Sequence, residues 1–201
     1  MCGIVGIVDA GAVSRPLYFA LFALQHRGQE SAGISTWDGS AFYKHKGMGL
    51  VSEVFNDQIL SELKGHAGVG HVRYPTTGAN LPENSQPSNF RFRDHHFAIA
   101  DNRNLVNSGE LRNEFEQDGE IFSTTTDTEI VAATIVHEFR KSEKIEEAII
   151  HCLHVLRGSY SVILMLDGTL YAFRDPMGIK PLCIGTTEKG YMVASESVAI
   201  D

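Results

Sequence analysis

Within Met1-Cys2-Gly3-Ile4-Val5-Gly6-Ile7-Val8-Asp9, the run from Gly3 to Asp9 is short and mostly apolar, and it reads as a buried β-strand. The residue before it carries a thiol. An isolated cysteine at the start of a strand is ordinarily a small buried hydrophobe. Position two changes that reading, because removal of Met1 leaves Cys2 with both a thiol and a free α-amine. Such an amine titrates near about 7.7–8.0 and suits the role of general base for the chain's own nucleophile. Gly3, beside it, lets other backbone come close.

Outward from this strand, Ser14 to Gln25 predicts a helix with an apolar face of Leu17, Leu21 and Leu24, and Gly28 lies just past its end. Strands are predicted at Ala32–Trp37 and Ala41–His45, joined by the turn residues Asp38-Gly39. A short helix fits Asp57–Leu63, and a strand runs from Gly68 to Tyr74, stopping at Pro75. Thr76–Asn89 is polar and reads as a loop, followed by a strand at His96–Ala100. Thr126-Asp127-Thr128-Glu129 matches a capping box and starts a helix that runs to about Arg140. Glu143–Leu156 is a second helix, and strands near Tyr160–Leu166, Leu170–Arg174, Leu182–Gly185 and Tyr191–Ala194 finish the chain. Strands and helices come in separate sets, which favours a layered α+β fold over βαβ alternation. No linker divides the chain, so residues 1–201 read as one domain.

The hydrophobic share of 43% and charged share of 21% describe a chain able to bury a core. A net charge of -8, from 25 acidic and 17 basic residues, argues against non-specific nucleic-acid binding. No run of about 18 apolar residues is present to span a bilayer. Cys2, Cys152 and Cys183 are an odd, sparse set that fits a reducing cytoplasm. Among the histidines, His95-His96 would point to opposite faces of a strand, and His151 and His154 lack a third ligand at a recognisable spacing, so no metal is expected. Gly47-Met48-Gly49 and Gly68-Val69-Gly70 each lack the third glycine of a dinucleotide fingerprint, and no cofactor is expected.

Attack on an amide needs donors for the developing oxyanion. Asn102 and Asn104, just past the strand His96–Ala100, are candidates; the plainer reading is turn asparagines. An amino-acid substrate also needs a fixed cation and a fixed anion. Arg73 at a strand end and Asp127 at a helix start suit those roles. Their plainer readings are a surface ion pair and a charge complementing the helix dipole.

The blocks CGIVGI (2–7), HRGQESAGI (26–34), KGMGLVSEVF (46–55), GHVRYPTTG (70–78), TTTDTEI (124–130), RDPMGIKPLCIG (174–185) and ASES (194–197) resemble, in order, the glutaminase domain of the amidophosphoribosyltransferase family. HRGQESAGI and KGMGLVSEVF favour this branch over the sugar-phosphate aminotransferase and asparagine synthetase branches. The resemblance implies a class II glutamine amidotransferase with an N-terminal nucleophile hydrolase fold: a four-layer αββα sandwich with two antiparallel sheets. It implies attack by the Cys2 thiolate on the glutamine side-chain amide, release of ammonia and hydrolysis of a γ-glutamyl thioester. Arg27 would order the site around the nucleophile. Arg73 would bind the α-carboxylate and Asp127 the α-ammonium, while Tyr74, Pro75 and Thr76 belong to a loop closing over glutamine. Asn102 would give its side-chain amide to the oxyanion and Arg103 its backbone N–H. A phosphoribosyltransferase or another ammonia acceptor is the implied partner, and a homo-oligomer is left open.

Two departures stand out. The family usually reads His-Asn-Gly-Asn-Leu at the oxyanion segment, where this chain reads Asp101-Asn102-Arg103-Asn104-Leu105. A left-handed backbone at Arg103 and a carboxylate at Asp101 would weaken the oxyanion hole unless Asp101 is turned away or paired, with Arg103 a possible partner. The expectation is weak or absent glutaminase activity. The alternative is a catalytically weakened, glutamine-binding regulatory module of the same fold. Secondly, the family's phosphoribosyltransferase domain, with its acidic pyrophosphate-binding motif, is absent from these 201 residues, which marks an excised domain or a stand-alone subunit. Arg73 with Asp127, suited to a free amino acid, argues against an acylase or peptidase.

Overall fold

In the computed structural model, which describes residues 1–74, 82–122, 124 and 126–201, the apolar N-terminal run forms β1 (Gly3–Val8), and α1 (Ser14–Ala23) follows it. Next come β2 (Ser31–Trp37) and β3 (Phe42–Met48), joined where Gly39 takes φ +103 and the Asp38 carboxylate accepts from the N–H groups of Ser40 and Ala41. Then follow α2 (Val51–Val54), α3 (Asp57–Glu62), β4 (Ala67–Arg73), β5 (Ser88–Phe92) and β6 (His95–Leu105). The chain continues through α4 (Ser108–Gln117), α5 (Asp127–Ser142), α6 (Ile145–Val155), β7 (Gly158–Leu166), β8 (Thr169–Arg174), β9 (Cys183–Thr186) and β10 (Tyr191–Ala194).

The strands make two sheets, ordered β3-β2-β4-β1-β10-β9 and β5-β6-β7-β8, with every recorded pair antiparallel. Three apolar clusters separate four layers. Val5 and Ile7 of β1 join α1 and Val51, Val54 and Leu60 in the first. Ile4 turns the other way and packs between the sheets with Ala98, Ala100, Ile163 and Met165. Phe97, Ile99, Val162 and Leu164 face Ile130, Ile135 and Cys152 of the second helical layer. Central strands are thus buried on both faces, which is why β1 and β7 read as continuous apolar runs. The expected αββα sandwich with two antiparallel sheets is the observed architecture.

Four local expectations need correction. β6 does not stop at Ala100 but continues to Leu105, so Asn102 and Asn104 lie in a strand, opposite Ser161 and Ser159 of β7. β5 begins at Ser88, inside the stretch read as loop. The helix α4 was not anticipated, since it buries only Leu111 and Phe115. Thr126 is the N-cap of α5 but makes no side-chain capping bond. Glu129 instead accepts from the Thr124 N–H (2.8 Å), and the Thr124 and Thr126 hydroxyls bond each other (2.9 Å), which ties the first turn of the helix to the residues ahead of it.

Candidate active site

Cys2 stands just ahead of β1, where the pairing Gly3–Val72 brings it level with the end of β4. Its N–H donates to Asn102 Oδ1 at 3.2 Å, and its thiol lies 3.8 Å from the carbonyl oxygen of Tyr74. Its own carbonyl accepts from Arg27 Nε at 2.9 Å. The nucleophile candidate is therefore held at both backbone groups. Burial pushes the Cys2 thiol up, the nearby Asp101 charge adds to that, and the Tyr74 carbonyl and Arg103 oppose it. Burial thus favours the neutral thiol over the thiolate.

Arg27 reaches Cys2 from a 3-10 turn, Gln25–Arg27. Gln25 pins that turn by donating to the Gly28 carbonyl (2.6 Å) and accepting from the Val51 N–H (2.7 Å). A Cβ on Gly28 would sit 2.5 Å from the backbone of Arg73, so only glycine lets the turn close against β4. The buried Arg27 guanidinium pairs with Glu196, which also bonds His26 Nε2 at 2.9 Å. Glu196 is brought here by reciprocal bonds of 3.0 Å between Ile4 and Ser195, which tie the end of β10 to β1.

Asn102 comes from the opposite sheet. Along β6 the residues alternate: Phe97, Ile99, Asp101 and Arg103 face the helices, whereas Ala98, Ala100 and Asn102 face the space between sheets. Asn102 is 2% exposed, and its Nδ2 is buried with no partner among the described residues. The Asp101 N–H donates to Gln86 Oε1 (2.8 Å), and its carbonyl lies 3.1 Å from His71 Nε2, so both point to the strand edge away from β7. Period-two geometry puts the Arg103 N–H on that same edge.

Arg73 is not a surface ion pair: it is buried and pairs with the equally buried Glu30 at 2.9 Å. Cys2, Arg73, Tyr74, Asp101 and Arg103 line one recess with Thr126. Asp127, the next residue, begins α5 and is half-buried. Pro75 and Thr76 lie outside the described residues.

The pattern of the glutamine amidotransferase domain matches residues 71–201. The chain belongs to that family. All of it aligns at 47% identity with 43% of an amidophosphoribosyltransferase from Methanothermobacter thermautotrophicus, and at 46% with 43% of one from Methanocaldococcus jannaschii. Among solved structures, a glutamine phosphoribosylpyrophosphate amidotransferase from B. subtilis, complexed with ADP and GMP, superposes with TM-score 0.89 at 40% identity, covering 99% of this chain and 43% of the other. The resemblance to the glutaminase domain of amidophosphoribosyltransferases therefore holds, and the chain spans less than half the length of the relatives it matches.

The backbone at Asp101 and Arg103 differs from the strained loop expected there. Arg103 has no left-handed backbone; among the described non-glycine residues only Arg93, Glu143 and Asp167 have positive φ. Asp101 is fully buried on the opposite face of β6 from Asn102. Its carboxylate pairs with Arg103 and accepts from Gln86 Nε2 (2.7 Å). An extended strand places residues two apart on one face, which makes that pairing natural. The premise of a strained loop is overturned.

Glu30, His71, Gln86 and Glu196 were not singled out from the sequence. Three of them lay within the recognised blocks, at HRGQESAGI, GHVRYPTTG and ASES, and acidic or imidazole groups inside such blocks were the available signal. Gln86 carried none, since its role depends on the path of a loop.

Proposed function

We propose that this domain hydrolyses the side-chain amide of glutamine to glutamate and ammonia, with Cys2 as nucleophile after loss of Met1. The observation that carries the reading is the Cys2–Asn102 pair: Oδ1 accepts from the Cys2 nitrogen, and the buried Nδ2 of the same side chain has no partner among the described residues. Once Met1 is gone, that nitrogen is an amine able to take the thiol proton. The thiolate attacks the carboxamide carbon, and its oxygen takes negative charge facing Asn102 Nδ2 and the Arg103 N–H. The leaving nitrogen receives the proton and departs as ammonia. Water, deprotonated by the same amine, then cleaves the γ-glutamyl thioester to glutamate and free Cys2.

In this reading Arg27 fixes the Cys2 carbonyl, Arg73 receives the α-carboxylate and Asp127 the α-ammonium, with Tyr74 at the rim. Residues 1–201 constitute a glutaminase domain, and the ammonia acceptor is a phosphoribosyltransferase unit, as the relatives' names suggest. The three free cysteines support a reducing, cytoplasmic setting. The test is a glutaminase assay with L-glutamine, combined with labelling by a diazo-ketone glutamine analogue. Hydrolysis and a single adduct at Cys2, both lost in Cys2→Ala, are expected; an adduct at Cys183 instead overturns the assignment.

A further inference from the structure

We propose that the Arg103 guanidinium touches substrate as a second cation, beside Arg73, for the α-carboxylate of the amino acid in the recess. This rests on the glutamine-hydrolase reading above. The side chain is 12% exposed and lines the recess with Cys2 and Arg73. Its Nη1 is held by Asp101, and its Nε is buried with no partner among the described residues. A buried N–H on a cation is costly to leave unpaired, so an acceptor is expected to arrive with the ligand. Asp101 is itself fixed, accepting from Gln86 Nε2 at 2.7 Å and lying 3.5 Å from Thr128 Oγ1. The arginine is thus an anchored donor.

The face of β6 decides which part of the substrate it meets. Asn102 projects between the sheets, beside the Cys2 nitrogen, where the reacting carboxamide belongs. The Arg103 side chain projects to the other face, on the side of Thr126 and the start of α5. There it meets the distant end of the substrate, which carries the carboxylate. Guanidinium suits a planar carboxylate, and two of them favour amino acids whose α-carboxyl is free.

The experiment compares L-glutamine with its α-amide, which lacks the anionic group, on the 201-residue chain. Arg103→Met is expected to raise KM for glutamine by about tenfold or more, the loss of one charge-assisted hydrogen bond, with kcat within about threefold. Discrimination against the α-amide should shrink by the same factor, and Arg103→Lys should restore part of it. Asp101→Asn with Arg103→Met removes both charges and should show the same loss if the single variant does not fold. Calorimetric affinities of both compounds for Cys2→Ala, with and without Arg103→Met, read the discrimination without turnover. An inactive parent chain whose affinity discrimination still depends on Arg103 overturns the hydrolase reading but not the carboxylate contact. Unchanged discrimination in the variants, or a gain in kcat at constant KM from Arg103→Gly, overturns the contact.

Discussion

Cys2 cannot rely on an acidic thiol. Burial pushes it up, as it does Cys183, and Cys152 in the core reaches about 12. In the proposed mechanism the thiol proton therefore goes to a base at its side, and an amide nitrogen is not one. Intact-mass analysis of active protein should accordingly show the loss of one methionine. Full activity in protein that retains Met1 sinks the amine-base mechanism. His71 makes a second residue-scale case. Burial holds its imidazole at about 3 instead of 6.5, so the ring is neutral and its Nε2–H donates to the Asp101 carbonyl. Between those values the unfolded chain binds a proton that the folded chain refuses. Stability should then fall as pH drops from 6.5 toward 3, by up to about 1.4 kcal/mol per pH unit from this group, with its contribution fully present above 6.5. Urea titrations of wild type and His71→Gln at several pH values check this: the variant should lose that part of the acid sensitivity. Equal slopes for both would show that another group governs it.

At the scale of elements, the open end of β6 matters most. β5 covers its edge only as far as Ser88–Ile99, and beyond that point the Gln86 side chain does what a neighbouring strand would do. It accepts from the Asp101 N–H and donates to the Asp101 carboxylate. Gln86→Ala leaves both without that partner, which should cost about 1–3 kcal/mol in chemical denaturation. The same change should lower kcat, because Asn102 and the Arg103 N–H lie on the loosened stretch. A variant with wild-type stability would mean that water replaces the amide without loss. This stretch also explains a failure of sequence reading. Asp-Asn-Arg-Asn is polar, and polar residues after an apolar run resemble a turn. What keeps them in a strand is pairing with β7 and the side chains of Gln86 and His71, none of which local pattern reveals. β1, β7 and α6 were legible for the opposite reason: their apolar residues follow strand or helix periodicity with nothing to contradict it.

Over the whole molecule, the two sheets bring together residues that the sequence keeps far apart: Cys2 and Arg27 from the first layers, Asn102 from the opposite sheet, and Glu196 from beyond the last strand. Motif blocks could name most of these residues but could not supply the pairing of Arg73 with Glu30 or of Arg103 with Asp101, which neutralises both recess cations. That pairing bears on what these 201 residues can do alone. Phosphoribosyl pyrophosphate is a polyanion, and its capture needs a bound cation or a cluster of free positive charge. The chain carries a net charge of -8 and no recognisable acidic pyrophosphate-binding motif to hold a divalent cation. Each recess arginine already has a carboxylate partner, so it can add a bond to one substrate carboxylate but supplies no uncompensated charge for a polyanion. In the proposed reaction ammonia has nothing here to react with but water. Assayed alone, the chain should release ammonia in step with glutamate and form no phosphoribosylamine when phosphoribosyl pyrophosphate and magnesium are added. Coupled detection of ammonia, with trapping of the amine product, separates the two. Phosphoribosylamine above the level formed by free ammonia at the same concentration would place an acceptor site within these residues and refute the assignment of the chain to the glutaminase half alone.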